Sequence, residues 1–571
     1  MKKFVFIISL ILFLSLANIV SADNVGEKRS FYIESYYDAS DREEITAVLV
    51  KTTPKIYFYV DKSWWNFAPH NEVYQILSEL GQDFDDKIYP ILTSTFGPEW
   101  NPGIDKDSRI TILIHPMKKE AGGYFSTKDE YSQIEVSNSN QREMIYLNSN
   151  YIDSLYNKSF LAHEFVHLIT FNQKDNTYNI SEEIWLNEAR AEYASTLVGY
   201  DDEYEGSYLE NRVKIFSEHP LNPLIEWQNK KEDYGILNLF TQYLVDHYGI
   251  EILVDSLQSS KTGIESINLA LKKNGFDEDF SQIFLDFSIA VLINDCNYGL
   301  KYCFLNDNLK NIHVATKTSF LSLTGKSTLS IADVVKNWSG NWYKIIGGRK
   351  DLKLEFISSS AQYFTVPYII KNRNGAYFVN FLELDGSQKI EINIKDFGTD
   401  IVALYIIPLV NKANKDSYYP YSWTVSTIEN EDESELISKL LAQIEFLTQE
   451  ITRIQTQINS ILASQGKLTQ NNQPNQTCQI EYNLYFGLKD NSEVSCLQEF
   501  LKSQGPEIYP EALVTGNFLS LTKKAVIRFQ EKYASEILRP LELEQGTGFV
   551  GSKTKAKINE ILTSLELTKI Y

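Results

Sequence analysis

His163-Glu164-Phe165-Val166-His167 sits inside an otherwise apolar run, and it narrows what this chain can fold into more than any other segment. On a helix, side chains four apart share a face, so His163 and His167 can reach one point. Glu164 projects about a quarter turn away. Phe160, Leu161, Phe165, Leu168 and Ile169 give that helix a packed apolar side.

Two imidazoles leave a catalytic zinc one protein ligand short, because three ligands plus an open position is the usual count. Trp185-Leu186-Asn187-Glu188 follows on a second helical pattern, whose Trp185, Leu186, Ala189, Tyr193, Ala194 and Leu197 form a buried side. Glu188 is the candidate third ligand. Glu192 lies one turn further on, placed to accept the second ring N–H of a ligand histidine and so to fix its tautomer. Glu164 is then the general base that takes a proton from water and delivers it to a leaving amine.

These residues resemble the gluzincin metallopeptidases, in which H-E-x-x-H is completed by a glutamate on a following helix, often within N-E-x-x-A. Here the run is Asn187-Glu188-Ala189-Arg190-Ala191-Glu192. With Ile110-Thr111-Ile112-Leu113-Ile114 and Ala121-Gly122-Gly123-Tyr124-Phe125 upstream, the chain looks closest to the secreted bacterial hyicolysin-like group. The resemblance implies an α+β zincin-type catalytic domain, a Zn2+ ion, peptide-bond hydrolysis, and an oxyanion donor in addition to the metal. Tyr234, in Asp233-Tyr234-Gly235, looks like the tyrosine that follows the N-E helix in several gluzincin branches; His219 and His247 are alternatives.

The N-terminus reads as a signal peptide over residues 1–22: Met1-Lys2-Lys3, an apolar run from Phe4 to Leu16, and Val20-Ser21-Ala22. The apolar run is short for a membrane span. Export and removal are therefore expected, with the protein secreted or held at a bacterial envelope. A formal charge of −21 argues against nucleic-acid binding and against attachment to anionic lipid. The four cysteines fall into local pairs, Cys296 with Cys303 and Cys478 with Cys496, which an oxidising compartment would close as disulfides.

At 571 residues the chain should hold three or four domains. Residues 23–308 read as the α+β metallopeptidase domain, with strands at Ile56–Val60 and Ile110–Ile114. Helical patterns follow near 70–95, 155–173, 182–200, 234–248 and 263–292. Within it, Asp105 and Asp107 could hold calcium, or could equally cap a turn through side-chain to backbone hydrogen bonds. Residues 312–428 read as a β-sandwich, from aromatic and β-branched alternation broken by Asn-Gly, Asp-Gly and Gly-Gly. Ile437, Leu440, Ile444, Leu447, Ile451, Ile454, Ile458 and Ile461 make a heptad seam over 435–463, a coiled coil for self-association. Residues 465–477, rich in Asn and Gln, read as a linker.

Beyond the linker, Gly516-Asn517-Phe518 with Thr522 recurs as Gly548-Phe549-Val550 with Thr554, and Ala525-Val526-Ile527-Arg528-Phe529-Gln530 lies between them. Residues 478–565 thereby resemble the small three-helix peptidoglycan-binding domain of bacterial wall hydrolases. Leu519 stands where that family often has glycine, which puts the usual groove shape in doubt. The whole chain is thus expected to be a secreted zinc endopeptidase retained at the wall, acting on a protein or peptide. Two alternatives stay open: an enzyme that cuts peptidoglycan cross-links, and a non-catalytic wall-binding coiled-coil protein.

Overall fold

A computed structural model describes residues 23–348, 351–358, 363–384, 389–412, 417–427, 433–464, 478–541 and 543–567. The expected signal peptide (1–22) and linker (465–477) lie outside the described residues. The chain is multidomain, α plus β, and forms two compact units, Met1–Leu447 and Thr448–Tyr571.

The first unit begins with a six-stranded sheet. Its strands are β1 (Lys28–Tyr32), β2 (Glu44–Thr52), β3 (Ile56–Asp61), β4 (Ile110–His115), β5 (Gly123–Tyr124) and β6 (Met144–Asn148). Their order is β1-β2-β3-β4-β6-β5. β3, β4 and β6 run parallel, and β5 returns antiparallel along the edge of β6. The near-continuous apolar runs of β3 and β4 suit strands covered on both faces.

Helices cover the face of the sheet that carries the site. His70–Asp83 and Tyr89–Phe96 flank a wide π turn at Phe84–Ile88. Asn157–Thr170 bears both histidines, and Ile184–Leu197 bears the glutamates. Phe165 anchors the first of these against Phe84 (ring centroids 5.0 Å) and Tyr89 (5.5 Å). The second is tied down by buried Arg190, which pairs with Glu182 at 2.9 Å and donates to the Leu253 carbonyl and Ser256 Oγ.

The helical pattern near 263–292 is two helices, Gly263–Lys273 and Phe280–Ile293. Gly275 at φ +83° turns the chain between them, and Asp279 restarts it by accepting from the Gln282 N–H. A further helix, Tyr208–Glu218, has no counterpart in the periodicity reading.

Residues 317–427 form a five-stranded and a four-stranded sheet around one apolar core that includes Leu352, Phe356, Leu404, Ile406 and Trp423. The outer face of the five-stranded sheet contributes Ile369, Tyr405 and Ile346 to the core of the helical part. This β module is therefore continuous with the domain it follows. The Cys296–Cys303 disulfide closes the turn region before it.

One helix spans Glu433–Ser464, and its Ile451, Ile454 and Ile458 are about half exposed. In the second unit, Ser492–Ser503, Ser520–Lys532 and Ser552–Leu567 surround a core of Leu497, Phe500, Val526, Phe529 and Ile558, with the Cys478–Cys496 disulfide at one end. Its sequence echo is a repeated hydrogen-bond device. Gln498 Oε1 accepts from the N–H groups of Thr515 and Gly516, while its Nε2 donates to the Asn517 carbonyl and Thr522 Oγ1. Gln530 does the same to Thr547, Gly548, Phe549 and Thr554. The separations from glutamine to glycine and to threonine are 18 and 24 residues in both halves. Gly516 and Gly548 both sit at positive φ, +71° and +73°, which the turn under each glutamine requires.

Candidate metal centre

The structure brings His163, His167 and Glu188 together, their donor atoms all within 4.8 Å of one another. The two Nε2 atoms are 3.3 Å apart. Glu188 Oε2 lies 3.2 Å from His163 Nε2, and Glu188 Oε1 lies 3.7 Å from His167 Nε2. Both histidines are 7% exposed.

The groups behind these three side chains fix their orientation. His167 Nδ1 donates to Asn187 Oδ1 at 3.0 Å, which leaves its Nε2 as a lone pair facing the centre. His163 Nδ1 faces Glu192 Oε1 at 3.4 Å, an ion-pair contact without hydrogen-bond alignment. Glu192 is fully buried and heavily engaged. Arg212 grips both of its oxygens (2.7 and 2.8 Å), Tyr208 donates its hydroxyl at 2.8 Å, and Asn238 donates at 3.2 Å. Burial opposes ionisation of Glu192, yet the Arg212 charge and the His163 contact hold its pKa down to about 2.

Arg212 is the residue that the sequence reading missed. It comes from Tyr208–Glu218, and a signal for that helix was present. Ser207 caps it by accepting from the Glu210 N–H, and Glu210 reaches back to the Gly206 N–H. Gly235 lets this helix pack close to Lys231–Tyr248, since a Cβ there would stand 2.7 Å from the Phe216 nitrogen. The same close packing sets Arg212 over the rings of Tyr208 (4.4 Å) and Tyr234 (4.7 Å).

Glu164 lies beside His163 and is also 7% exposed. Burial, with the charges of Glu188 and Glu192, raises its pKa to about 8 against the opposing pull of His163. Edge strand β5 rests directly on it. A Cβ at Gly123 would come within 3.1 Å of Glu164 Cγ and 2.6 Å of the Tyr146 carbonyl, and one at Gly122 would strike the Phe160 ring at 2.8 Å. The Gly122-Gly123 pair is what allows strand and helix to touch.

The Tyr234 ring stands 6.3 Å from that of His163, braced edge-on by Trp227 at 4.8 Å. Burial and the charges of Glu188 and Glu192 push its phenol pKa well up, so it is a proton donor at any ordinary pH. His247 is committed elsewhere, donating to the Cys303 carbonyl at 2.9 Å. His219 is paired with Glu232 at 3.7 Å. Tyr37 is a second unforeseen neighbour. It stacks on Tyr124 (4.7 Å), and the charges of Glu164 and Glu188 add to burial in raising its pKa.

These residues fit a zinc ion. Two imidazole nitrogens and a carboxylate converge on one point, and buried Glu188 Oε2 has no aligned hydrogen-bond partner. Burial would lower the His163 pKa, but the contacts with Glu188 and Glu192 and the charge of Glu164 raise it to about 10. The carboxylates around His163 thus favour a positive charge there, which a metal ion would supply in place of the proton. Nitrogen donors with one carboxylate are a donor set that suits zinc.

No protein-family profile and no curated protein matches the chain. Among solved structures, the M60 catalytic domain with the CBM51-1 and CBM51-2 domains from Clostridium perfringens ZmpB is 8% identical. That match covers 67% of this chain and 60% of the other, with a TM-score of 0.23. A metallopeptidase from Bacteroides thetaiotaomicron is 12% identical over 61% of this chain and 64% of its own, also at 0.23. The Aeromonas hydrophila periplasmic lysozyme inhibitor PliG covers 20% of this chain and 98% of its own, at 12% identity and a TM-score of 0.14. These are distant likenesses, two of them to metallopeptidases, and too slight to carry an argument.

Proposed function

We propose that this protein is an exported zinc-dependent endopeptidase of the gluzincin type, retained at the bacterial cell wall by its C-terminal unit. The observation that carries the reading is the meeting of the buried His163, His167 and Glu188 donor atoms around one point. A zinc ion held there supplies Lewis acidity and lowers the pKa of a coordinated water.

The rest is the work of the chain's own side chains. Glu164 takes a proton from water on one side of the scissile bond and returns it to the leaving nitrogen. Its buried place beside His163, His167 and Glu188 puts the carboxylate within reach of a water at the metal. Tyr234 donates a hydrogen bond to the oxygen that becomes negative as the carbonyl carbon is attacked. Arg212 keeps Glu192 ionised, and Glu192 keeps His163 turned toward the metal. A substrate strand can add to the open side of β5, whose backbone then presents the peptide beside Glu164.

Export rests on the 1–22 pattern together with the two disulfides. Among the described residues no helix is long and apolar enough to cross a membrane. Wall retention rests on the resemblance of 478–565 to peptidoglycan-binding domains. Self-association rests on the exposed Ile451, Ile454 and Ile458 stripe, and light scattering of the mature protein reads it.

Mature protein incubated with casein and with purified sacculi tests the whole reading. Casein cleavage abolished by a chelator, with co-sedimentation on intact sacculi, supports it. Digestion of the sacculi would make the wall a substrate. Binding without any cleavage would leave a structural protein.

A further inference from the structure

Tyr234 lies in the first turn of Lys231–Tyr248, and Trp227 is the ring that braces it, edge-on at 4.8 Å. Trp227 belongs to residues 219–230, the connection between Tyr208–Glu218 and that helix. Whatever holds this connection bears on where the Tyr234 hydroxyl points.

At one end the loop is tied to its own helix. Buried Asp233 accepts from the N–H groups of Gln228 (2.9 Å) and Lys230 (3.0 Å), and from Asn222 Nδ2 (2.9 Å). The other tethers come from the β module. Lys336, the last residue of strand Thr328–Lys336, donates from Nζ to both oxygens of Glu226, at 2.7 and 2.9 Å. Glu226 is the residue next to Trp227. Ser339 Oγ donates to the Leu221 carbonyl at 2.8 Å, and the Leu224 N–H donates to the Trp338 carbonyl at 2.9 Å.

The turn that supplies these groups is itself held in place. Trp338 has φ +52°, a left-handed conformation that a bulky side chain rarely adopts. Its N–H donates to the Val410 carbonyl at 2.7 Å, and its ring packs on Phe280 (4.9 Å) and Phe284 (5.6 Å) in the helical core. The Trp338 carbonyl is thereby fixed opposite Leu224.

Between the loop and the β module lies a cavity of about 430 Å³. His219, Leu221 and Glu232 line it from the helical part, and Lys317, Lys336 and Trp342 line it from the β module. On this side the tethers, rather than a filled core, set the position of the loop.

We propose that the β module is a functional part of the metal centre, in which Lys336 acts through Glu226 and Trp227 to position Tyr234. The proposal rests on the reading of Tyr234 as the donor to the developing oxyanion. Lys336 itself touches neither the metal nor the substrate, so it is a positioning residue. A donor that points wrongly leaves substrate binding intact and weakens only the interaction that grows during attack. The loss then falls on kcat.

Lys336→Met keeps the side-chain stem and removes the charge. On casein its kcat should fall about 10-fold, with KM changed by less than about twofold and zinc content as in the parent. Added to Tyr234→Phe, the same change should cost less than about twofold more, because the donor it positions is already gone. Lys336→Arg, which can still reach Glu226, should recover most of the loss. Glu226→Gln serves the same purpose if Lys336→Met does not fold. Hydrogen exchange read by mass spectrometry should quicken in 219–230 of Lys336→Met and stay as it was in Asn157–Thr170. An unchanged kcat in Lys336→Met or in Tyr234→Phe, a loss carried by KM, or a full loss on top of Tyr234→Phe overturns the proposal. If the parent cleaves nothing, the endopeptidase reading fails by itself and exchange decides the tether: a quickened loop upholds it, and an unchanged loop overturns it.

Discussion

Both the histidine–glutamate centre and the C-terminal unit bury polar side chains, but they treat them in opposite ways. Gln498 and Gln530 are 1% and 2% exposed, and each amide both accepts and donates twice, to backbone and threonine groups. At the centre, two imidazole nitrogens and a carboxylate crowd one point, and Glu188 Oε2 is left with no aligned hydrogen-bond partner. A saturated buried group is architecture: its energy is already used in holding turns together. An unsaturated buried group costs stability in proportion to its desolvation, and a fold keeps it where something else completes it. By the same test Glu192, saturated by Arg212, Tyr208 and Asn238, is architecture inside the site.

That contrast can be broken first at Glu164. Glu164→Gln keeps the ligands and removes the base, so turnover on casein should fall roughly a thousand- to ten-thousand-fold with zinc content unchanged. Full activity would assign the proton transfer to another group. Tyr234→Phe should cost about a hundred- to a thousand-fold in kcat with little change in KM, because the donor acts on charge that develops during attack. An unaltered kcat would move that role to Tyr37 or to a backbone N–H.

Arg212→Leu probes the saturated part of the centre. It strands a buried Glu192 carboxylate, and should destabilise the first unit by about 3–5 kcal/mol and weaken zinc about 10- to 100-fold. Unfolding and metal-competition titrations read the two effects separately. In the C-terminal unit, Gln498→Ala leaves the Thr515 and Gly516 N–H groups without their acceptor. It should lower that unit's unfolding free energy by about 2–4 kcal/mol and leave casein cleavage as it was. A loss of activity there would blur the division between the two regions.

The convergence of His163, His167 and Glu188 was legible because one helix carries two of them at i, i+4 and a second helix carries the other, so local periodicity places all three. Arg212 was not read. Its helix carries a capping signal at Ser207 and Glu210, but the pairing with Glu192 depends on how two helices cross at Gly235. Tyr37 reaches the site through the connection between β1 and β2, and Lys336 meets Glu226 only once the β module has folded back on the helical part. Both are consequences of tertiary path, and no local spacing encodes them. The C-terminal echo was visible as a repeat, whereas its purpose, a glutamine clamping the turn before each helix, needed coordinates. The break near Gly275 lay in plain view: a glycine at a helix end followed by Asp279 is a stop and restart that the apolar periodicity on either side obscured.

Metal analysis of the mature protein beside a His163→Ala, His167→Ala variant tests the central claim most directly. One zinc per chain in the parent and none in the variant, with folding intact by circular dichroism, is the result expected of two imidazole nitrogens aimed at one ion. Equal zinc in both proteins would contradict the assignment of the centre and remove the foundation of the proposed chemistry.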